Sequence, residues 1–340
     1  MATEKRKVRI ENTQMKPRIS VIIPVYGVAQ FVERCTRSLM NQTLRKDVEF
    51  IFVDDKTPDH SITIIEKVVS EFPAREGQVT ILHHPENKGL PAARNTGLVA
   101  AKGEYIYHFD GDDYAEPELL ERMLMTAEET GADYVWADWL LTYEHSDRLM
   151  LQPSFATVAD ALKGVLFGRM KYNVWNKIVK HSLYTENNIL FPAGFGMGED
   201  MTMIRLLACA KKVAHCDYAG YHYVKTNSGA MTSNMTNRSY EDIRHNVDET
   251  VTFLKRKLSK DISLDIGAFC LNTKLPLLIS ADKSNYLRWA TLWPESNRYI
   301  ESAGFSRRNR FLNKAADKGF WILVKIHFFV YNLVYRLRFQ

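Results

Sequence analysis

ISVIIPVY at 19–26 is a near-continuous apolar, β-rich run, followed by Phe31, Cys35 and Leu39 at helical four-residue spacing. A strand apolar at successive positions buries both of its faces, so the sheet it joins has to be covered on both sides. The pattern repeats. VEFIFVDD at 48–55 precedes a helical stripe of Ile62, Ile65, Val69 and Phe72, and VTILHH at 79–84 leads to a helix opened by Pro91 and followed by Gly103. EYIYHFD at 104–110 supplies a fourth strand. Strands alternating with helices of about ten residues predict βαβ crossovers and an α/β class with a mostly parallel central sheet flanked by helices. Residues 18–115 read as a nucleotide-binding half.

The next segment, 116–235, is less regular. A helix is expected from Pro117 towards Gly131, a strand over ADYVWADW at 132–139, a helix beginning near Thr157, and a further segment at VWNKIVK, 174–180. GMGEDMTMIRLLACAKK at 196–212 puts Glu199 and Asp200 at the front of a helix whose Met203, Ile204 and Leu207 face inward, where acids suit the dipole. VAHC and YHYV follow as two short strands. From 236 to 340 the pattern is helical, and the division is placed near 235.

With 340 residues, 46% of them hydrophobic and 25% charged, the chain can bury a large core. Cys35, Cys209, Cys216 and Cys270 form no CxxC pair, which argues against structural zinc and a disulfide framework. The start, residues 1–17, is a polar and basic tail without the apolar stretch of a secretory signal, so the cytoplasm is the expected location. The net charge of +5 is concentrated at the other end: residues 305–340 hold eight Lys and Arg against Asp317. A basic tail on a near-neutral domain does not read as a nucleic-acid binder. Nothing in the pattern specifies an oligomer.

The chemistry is concentrated in YIYHFDGDD at 105–113, where Asp110, Asp112 and Asp113 crowd the end of a strand. Like charges this close raise each other's pKa, and a divalent cation is the natural relief. There is no GxGxxG after the first strand and no GxxxxGK[ST], so a phosphate has to be held by other means. Mg²⁺ or Mn²⁺ on carboxylates, bridging to a diphosphate, supplies one.

Seven blocks in order then resemble the family 2 glycosyltransferases of GT-A fold, of the bacterial polysaccharide-synthesis type. They are SVIIPVY at 20–26, SLMNQT at 38–43, VDD at 53–55, ENKGLPAARNTG at 86–97, GEYIYHFDGDD at 103–113, WNK at 175–177 and GED at 198–200. The resemblance spans about 18–232. It implies an inverting, metal-dependent transfer from a UDP-sugar to a glycan or lipid-linked acceptor in capsular, exopolysaccharide or lipopolysaccharide assembly. Pro24, Val25 and Tyr26 would line the nucleoside pocket, Asp55 would accept from the uracil ring, and Arg94 would sit near the diphosphate or hold the acidic loop. Asp110, Gly111 and Asp112 correspond to the DxD element that holds the metal and diphosphate, with Asp112 the direct ligand, and Asp200 matches the general base. Two departures stand out. Gly27 replaces the usual Asn, and KTPDHS at 56–61 replaces a Gly-Ser-Thr-Asp-Gly-Ser type of turn, so the turn after Asp55 is expected to change shape at Pro58.

Other roles are open at this point. Asp113 reads equally as a helix cap or a sugar contact, Glu199 as a first-turn acid, and Trp175 as packing rather than sugar stacking. His222 and Lys225, in YHYVKTNSGAMT at 221–232, fall where the family has a flexible closing region near the diphosphate. His83 and His84 read as strand and loop residues. A sugar nucleotidyltransferase is the alternative enzyme, but VIIPVYGVAQ lacks its Gly-rich basic loop. A non-catalytic membrane-associated binding protein is the other alternative, against which stands the intact Asp110, Asp112 and Asp200 set.

FWILVKIHFFVYNLVY at 320–335 is the most apolar run. It falls short of the roughly 20 residues that span a bilayer, and Lys325, His327 and Asn332 interrupt it. Basic flanks and aromatic residues make 319–338 an expected amphipathic helix in peripheral contact with the inner face of the cytoplasmic membrane. The alternative is a terminal helix packed on the domain.

Overall fold

The computed structural model describes residues 16–225 and 235–339, and the side chains of Glu199 and of 332–339 lie outside its description. Most of the basic tail expected at 1–17 and the end of the expected closing segment, 226–232, also lie outside the described residues.

Strand β1 (Ile19–Val25) is buried at all seven positions because it has a parallel neighbour on each edge. Helix α1 (Val32–Met40) leads to β2 (Val48–Asp54), helix α2 (Ser61–Ser70) to β3 (Val79–His83), and helix α3 (Leu90–Ala100) to β4 (Tyr105–His108). All three pairings among these strands are parallel, giving the order β3-β2-β1-β4. Helices on both faces follow from these crossovers, as the apolar runs require.

The sheet then changes direction. It continues through β5 (Tyr114–Ala115), α4 (Leu119–Thr130), β6 (Tyr134–Thr142), β7 (Asp147–Met150), α5 (Val158–Leu166), β8 (Lys177–Lys180), α6 (His181–Glu186), α7 (Thr202–Leu207) and β9 (Val213–Val224). Strand β8 lies antiparallel between β4 and β6, and β9 runs parallel to β6, so one nine-stranded sheet has the path β3-β2-β1-β4-β8-β6-β9-β5 with β7 on β6. The parallel half is the one read from alternation, and the whole sheet is mixed. The two short strands expected at VAHC and YHYV are one strand of twelve residues. Its register against β6 slips around Asp138, so residues between Cys216 and Tyr221 break the expected alternation without ending the strand.

Among the described residues five α-helices follow: α8 (Asn237–Lys257), α9 (Ser263–Lys274), α10 (Lys283–Thr291), α11 (Arg307–Asp317) and α12 (Trp321–Phe339). Val247 and Leu254 of α8 and Phe269 of α9 belong to the main core, while Leu271, Trp289, Leu312 and Val324 form a second cluster. Trp321 stacks on Tyr286 at 5.7 Å and fixes the start of α12. Farther along, α12 leaves Ile322, Ile326, Phe329 and Val330 exposed. Among the described residues no helix is long and apolar enough to cross a membrane.

Candidate active site

Val25, Asp54 and His108 end parallel strands on the same side of the sheet, so the loops that follow them converge on one crevice. A cleft of about 1450 Å³ opens there, lined by Pro24, Val25, Tyr26, Asp55, Arg94, Asp110, Gly111 and Asp112 on one side and by Trp175 and Asp200 on the other. Residues separated by more than 170 positions therefore face one hollow.

Tyr26 is 52% exposed and presents an open ring at the rim. Asp55 is buried, and its carboxylate is mostly engaged. Oδ1 accepts from the Lys88 amide at 2.8 Å and pairs with His84 Nδ1 at 2.7 Å, while Oδ2 accepts from the Gly89 amide at 2.8 Å. Of the roughly four lone-pair sites of a carboxylate, about one is left on Oδ2 for a base N–H. His84 also meets Thr96 Oγ1 at 2.8 Å, so this histidine fixes Asp55 and α3 together.

The acidic corner is a turn between β4 and β5, and its three carboxylates take different directions. Arg94 is buried on α3, lies over the Phe191 ring, and donates from Nη2 to Asp110 Oδ1 at 2.9 Å. Gly111 has no room for a side chain, because a Cβ there would meet the Pro24 carbonyl at 3.2 Å and Val28 at 3.3 Å. Asp113 points away from the cleft into the protein, where Tyr221 Oη donates at 2.5 Å and the Val224 amide at 2.7 Å. Neither role expected of Asp113 holds: it ties β9 to the β4 loop, and being buried it neither caps a helix nor reaches a sugar. Burial, then Asp112 and Asp110, push its carboxyl well above the usual range, and the two donors oppose them. The same three aspartates add to burial in pushing the Cys35 thiol up, so Cys35 is not a nucleophile here.

His222 is a second correction. It is buried in β9, bonded to Thr142 Oγ1 and to Glu116 Oε1 at 2.9 Å each and stacked on Tyr114 at 4.1 Å, so it does not face the cleft. Lys225 extends from the end of β9 over the Tyr223 ring at 4.9 Å and does not line the cleft either. Trp175 lies between Tyr221 and Tyr223 at 4.5 and 5.2 Å, and Trp139 meets it edge-on. It is buried in this aromatic cluster and still lines the cleft.

Asp200 sits on a 3₁₀ turn, Glu199–Met201, that runs into the six-residue α7. Its Oδ1 accepts from the Val174 amide at 3.0 Å, a donor from the segment leading to β8. The loop before it is held by α8: Asp242 Oδ2 accepts from the Gly196 amide at 3.0 Å, and Asn246 Nδ2 donates to the Gly196 and Met197 carbonyls. A charged corner and a braced carboxylate across one cleft suit group transfer from an anionic leaving group. No cluster of three or more His, Cys, Asp or Glu able to hold a metal occurs among the described residues. Two cleft-facing carboxylates fit an ion that takes few protein ligands and completes its shell with phosphate and water.

A model of the family described as glycosyl transferase family 2 matches residues 20–202, more than half of the chain. The chain belongs to glycosyl transferase family 2. This family 2 protein is 32% identical over 229 residues to the uncharacterized glycosyltransferase EpsJ of Bacillus subtilis, covering 64% of each chain. It is 31% identical over 220 residues to the poly(ribitol-phosphate) beta-glucosyltransferase of Bacillus spizizenii, covering 63% of this chain and 33% of that one. The chain thus spans less than two thirds of the length of each of these two relatives. Residues 1–349 of S. aureus TarS, solved in complex with UDP-GlcNAc, align with a TM-score of 0.69 at 18% identity, over 91% of this chain and 90% of that one. The fold is GT-A.

The departures from the family 2 pattern are absorbed locally. Gly27 has φ 67°, a left-handed conformation that Asn also tolerates. Lys56 stands where the family has glycine and takes φ 57°, so the turn after Asp55 keeps a left-handed residue despite Pro58. Asp59 then gathers the turn, accepting from the amides of Ala29 and Ser61 and from the Thr57 hydroxyl. That role was not read from the sequence, although an aspartate readily accepts from the backbone amide two residues on, as Asp59 does from Ser61.

Proposed function

We propose that this family 2 protein is an inverting, metal-dependent glycosyltransferase that moves a sugar from a UDP-sugar to a glycan or lipid-linked acceptor in surface polysaccharide assembly. The observation that carries the proposal is that Asp110, Asp112 and Asp200 line the same cleft. The UDP-GlcNAc bound by TarS and the poly(ribitol-phosphate) acceptor of the Bacillus spizizenii relative support the donor and acceptor classes.

Pro24, Val25 and Tyr26 bind the nucleoside, with the last site on Asp55 for the base. Arg94 keeps Asp110 aimed at the cleft, and Asp112 is the direct ligand of Mg²⁺ or Mn²⁺. When bound, the ion stabilises negative charge on the departing diphosphate as a Lewis acid. Asp200 takes the proton of the acceptor hydroxyl as that oxygen attacks the anomeric carbon from the face opposite the leaving group, which inverts the centre. The Val174 amide favours the ionised form of Asp200.

The exposed apolar residues of α12, with Lys318 and Lys325 beside them and Arg307, Arg308 and Arg310 on α11, support a reading in which the enzyme docks on an anionic bilayer. A second copy is a poor occupant, because two-fold pairing would bring like charges together. Ile322→Glu with Phe329→Glu should abolish sedimentation with phosphatidylglycerol vesicles, and phosphatidylcholine vesicles should bind neither form. Equal binding of both forms to both vesicles would remove the membrane reading.

The catalytic reading is tested by Asp200→Asn. UDP release from UDP-glucose, UDP-galactose and UDP-GlcNAc should fall at least about 100-fold while UDP binding persists. Turnover retained in that variant would reassign the base.

A further inference from the structure

Lys177 takes no part in the mechanism above, yet it is 1% exposed in the middle of the sheet. Its Nζ donates to the Lys171 carbonyl at 2.9 Å, the Asn173 carbonyl at 2.7 Å and Asn176 Oδ1 at 2.6 Å. Three donors meet three neutral acceptors, which is the valence of an ammonium; a neutral amine would leave one contact unmade. No carboxylate is among those partners. The two carbonyls bracket the segment whose next amide, Val174 N–H, donates to Asp200 Oδ1 at 3.0 Å.

Lys177 and Asp200 also interact through space. Burial lowers the lysine and the charge of Asp200 offsets only part of that, which leaves it at about 7. Tyr134 on β6 and Tyr172 in the pinned segment also feel the charge of Asp200. Burial foremost, with Asp200 adding, pushes Tyr172 up to about 12 and Tyr134 well above its usual range. Lys171 lines the same cleft as Asp200. Both tyrosines stay neutral near pH 7, so Lys177 is the member of this set that carries positive charge, increasingly as pH falls below about 7.

We propose that Lys177 is a positioning residue for Asp200: its ammonium pins residues 171–176 so that the Val174 amide holds the carboxylate, and its charge keeps that carboxylate ionised. The proposal rests on Asp200 being the general base.

The experiment compares wild type, Lys177→Met, Lys177→Arg and Asp200→Asn, using the UDP-sugar of highest wild-type turnover and a thermal shift with UDP and Mn²⁺. Lys177→Met should bind UDP with an unchanged donor KM and lose at least about tenfold in kcat at pH 7. The acid limb of its kcat profile should move up by about one pH unit, because removing a cation raises the pKa of a carboxylate. Lys177→Arg retains the charge and should keep the wild-type limb. A wild-type kcat in Lys177→Met, or a fall in kcat with the limb unmoved, overturns the proposal and leaves the base in place. If Lys177→Met does not hold UDP, Lys177→Arg decides, and a displaced limb there overturns it. Turnover retained by Asp200→Asn overturns the underlying reading instead.

Discussion

Arg94 donates from Nη2 to Asp110 Oδ1 at 2.9 Å, with the guanidinium buried and the carboxylate facing the cleft. A buried cation paired with one strand-end acid fixes the direction of the whole acidic corner. Arg94→Met leaves that acid unpaired beside Asp112. It should lower stability by about 3 kcal/mol, and urea unfolding measures it. Lys at this position keeps the charge and loses the planar fork, so Arg94→Lys should recover only part of the loss.

Asp59 gives a pH-dependent test. Burial pushes its carboxyl up, but donors from Ser61, Ala29 and Thr57 outweigh this and bring it down to about 2. A depressed acid contributes stability above its unfolded pKa of about 3.9 and loses it as pH falls through the folded value. Asp59→Ala should therefore cost about 1 kcal/mol at neutral pH, and the difference from wild type should vanish between about pH 4 and pH 2. Thermal unfolding across that range checks it.

Lys56 holds φ 57° in the turn after Asp55. Left-handed backbone costs a non-glycine residue about 1–2 kcal/mol, and glycine returns roughly half of that as unfolded-chain entropy. Lys56→Gly should stabilise the protein by about 0.5–1 kcal/mol without weakening UDP binding. A loss of stability in denaturant unfolding would show that the lysine side chain has a role in the turn.

The first four strands were legible because each is apolar along its length and a helix-length segment separates it from the next. Strand β9 was not, because its bulge interrupts the alternation between Cys216 and Tyr221. The site was legible where a whole motif carried it, as at Asp110 and Asp112. It was illegible where direction decided the role. Asp113 follows Asp112 directly yet turns inward, and His222 finds Thr142 and Glu116, 80 and 106 positions away. Lys177 left a readable signal, a lysine inside the apolar run VWNKIVK, but its acceptors are mostly backbone carbonyls that no side-chain pattern reveals.

Tyr221 Oη is one of two donors to the buried Asp113. Tyr221→Phe keeps the ring that stacks on Trp175 and removes only the hydroxyl, so it should cost about 2 kcal/mol. Thermal unfolding should show this loss with UDP binding intact, since Asp113 lies outside the cleft. A matching loss of UDP affinity would place Asp113 in the donor site after all.

In the proposed mechanism the acidic corner grips a nucleotide diphosphate through a divalent ion while Asp200 acts elsewhere in the same cleft. The direct measurement is the thermal shift given by UDP, with and without Mn²⁺, in wild type, Asp112→Asn and Asp200→Asn. The account predicts a large Mn²⁺-dependent shift in wild type and Asp200→Asn and its loss in Asp112→Asn. An equal shift in all three proteins whether or not Mn²⁺ is present, or no shift in any, would contradict it.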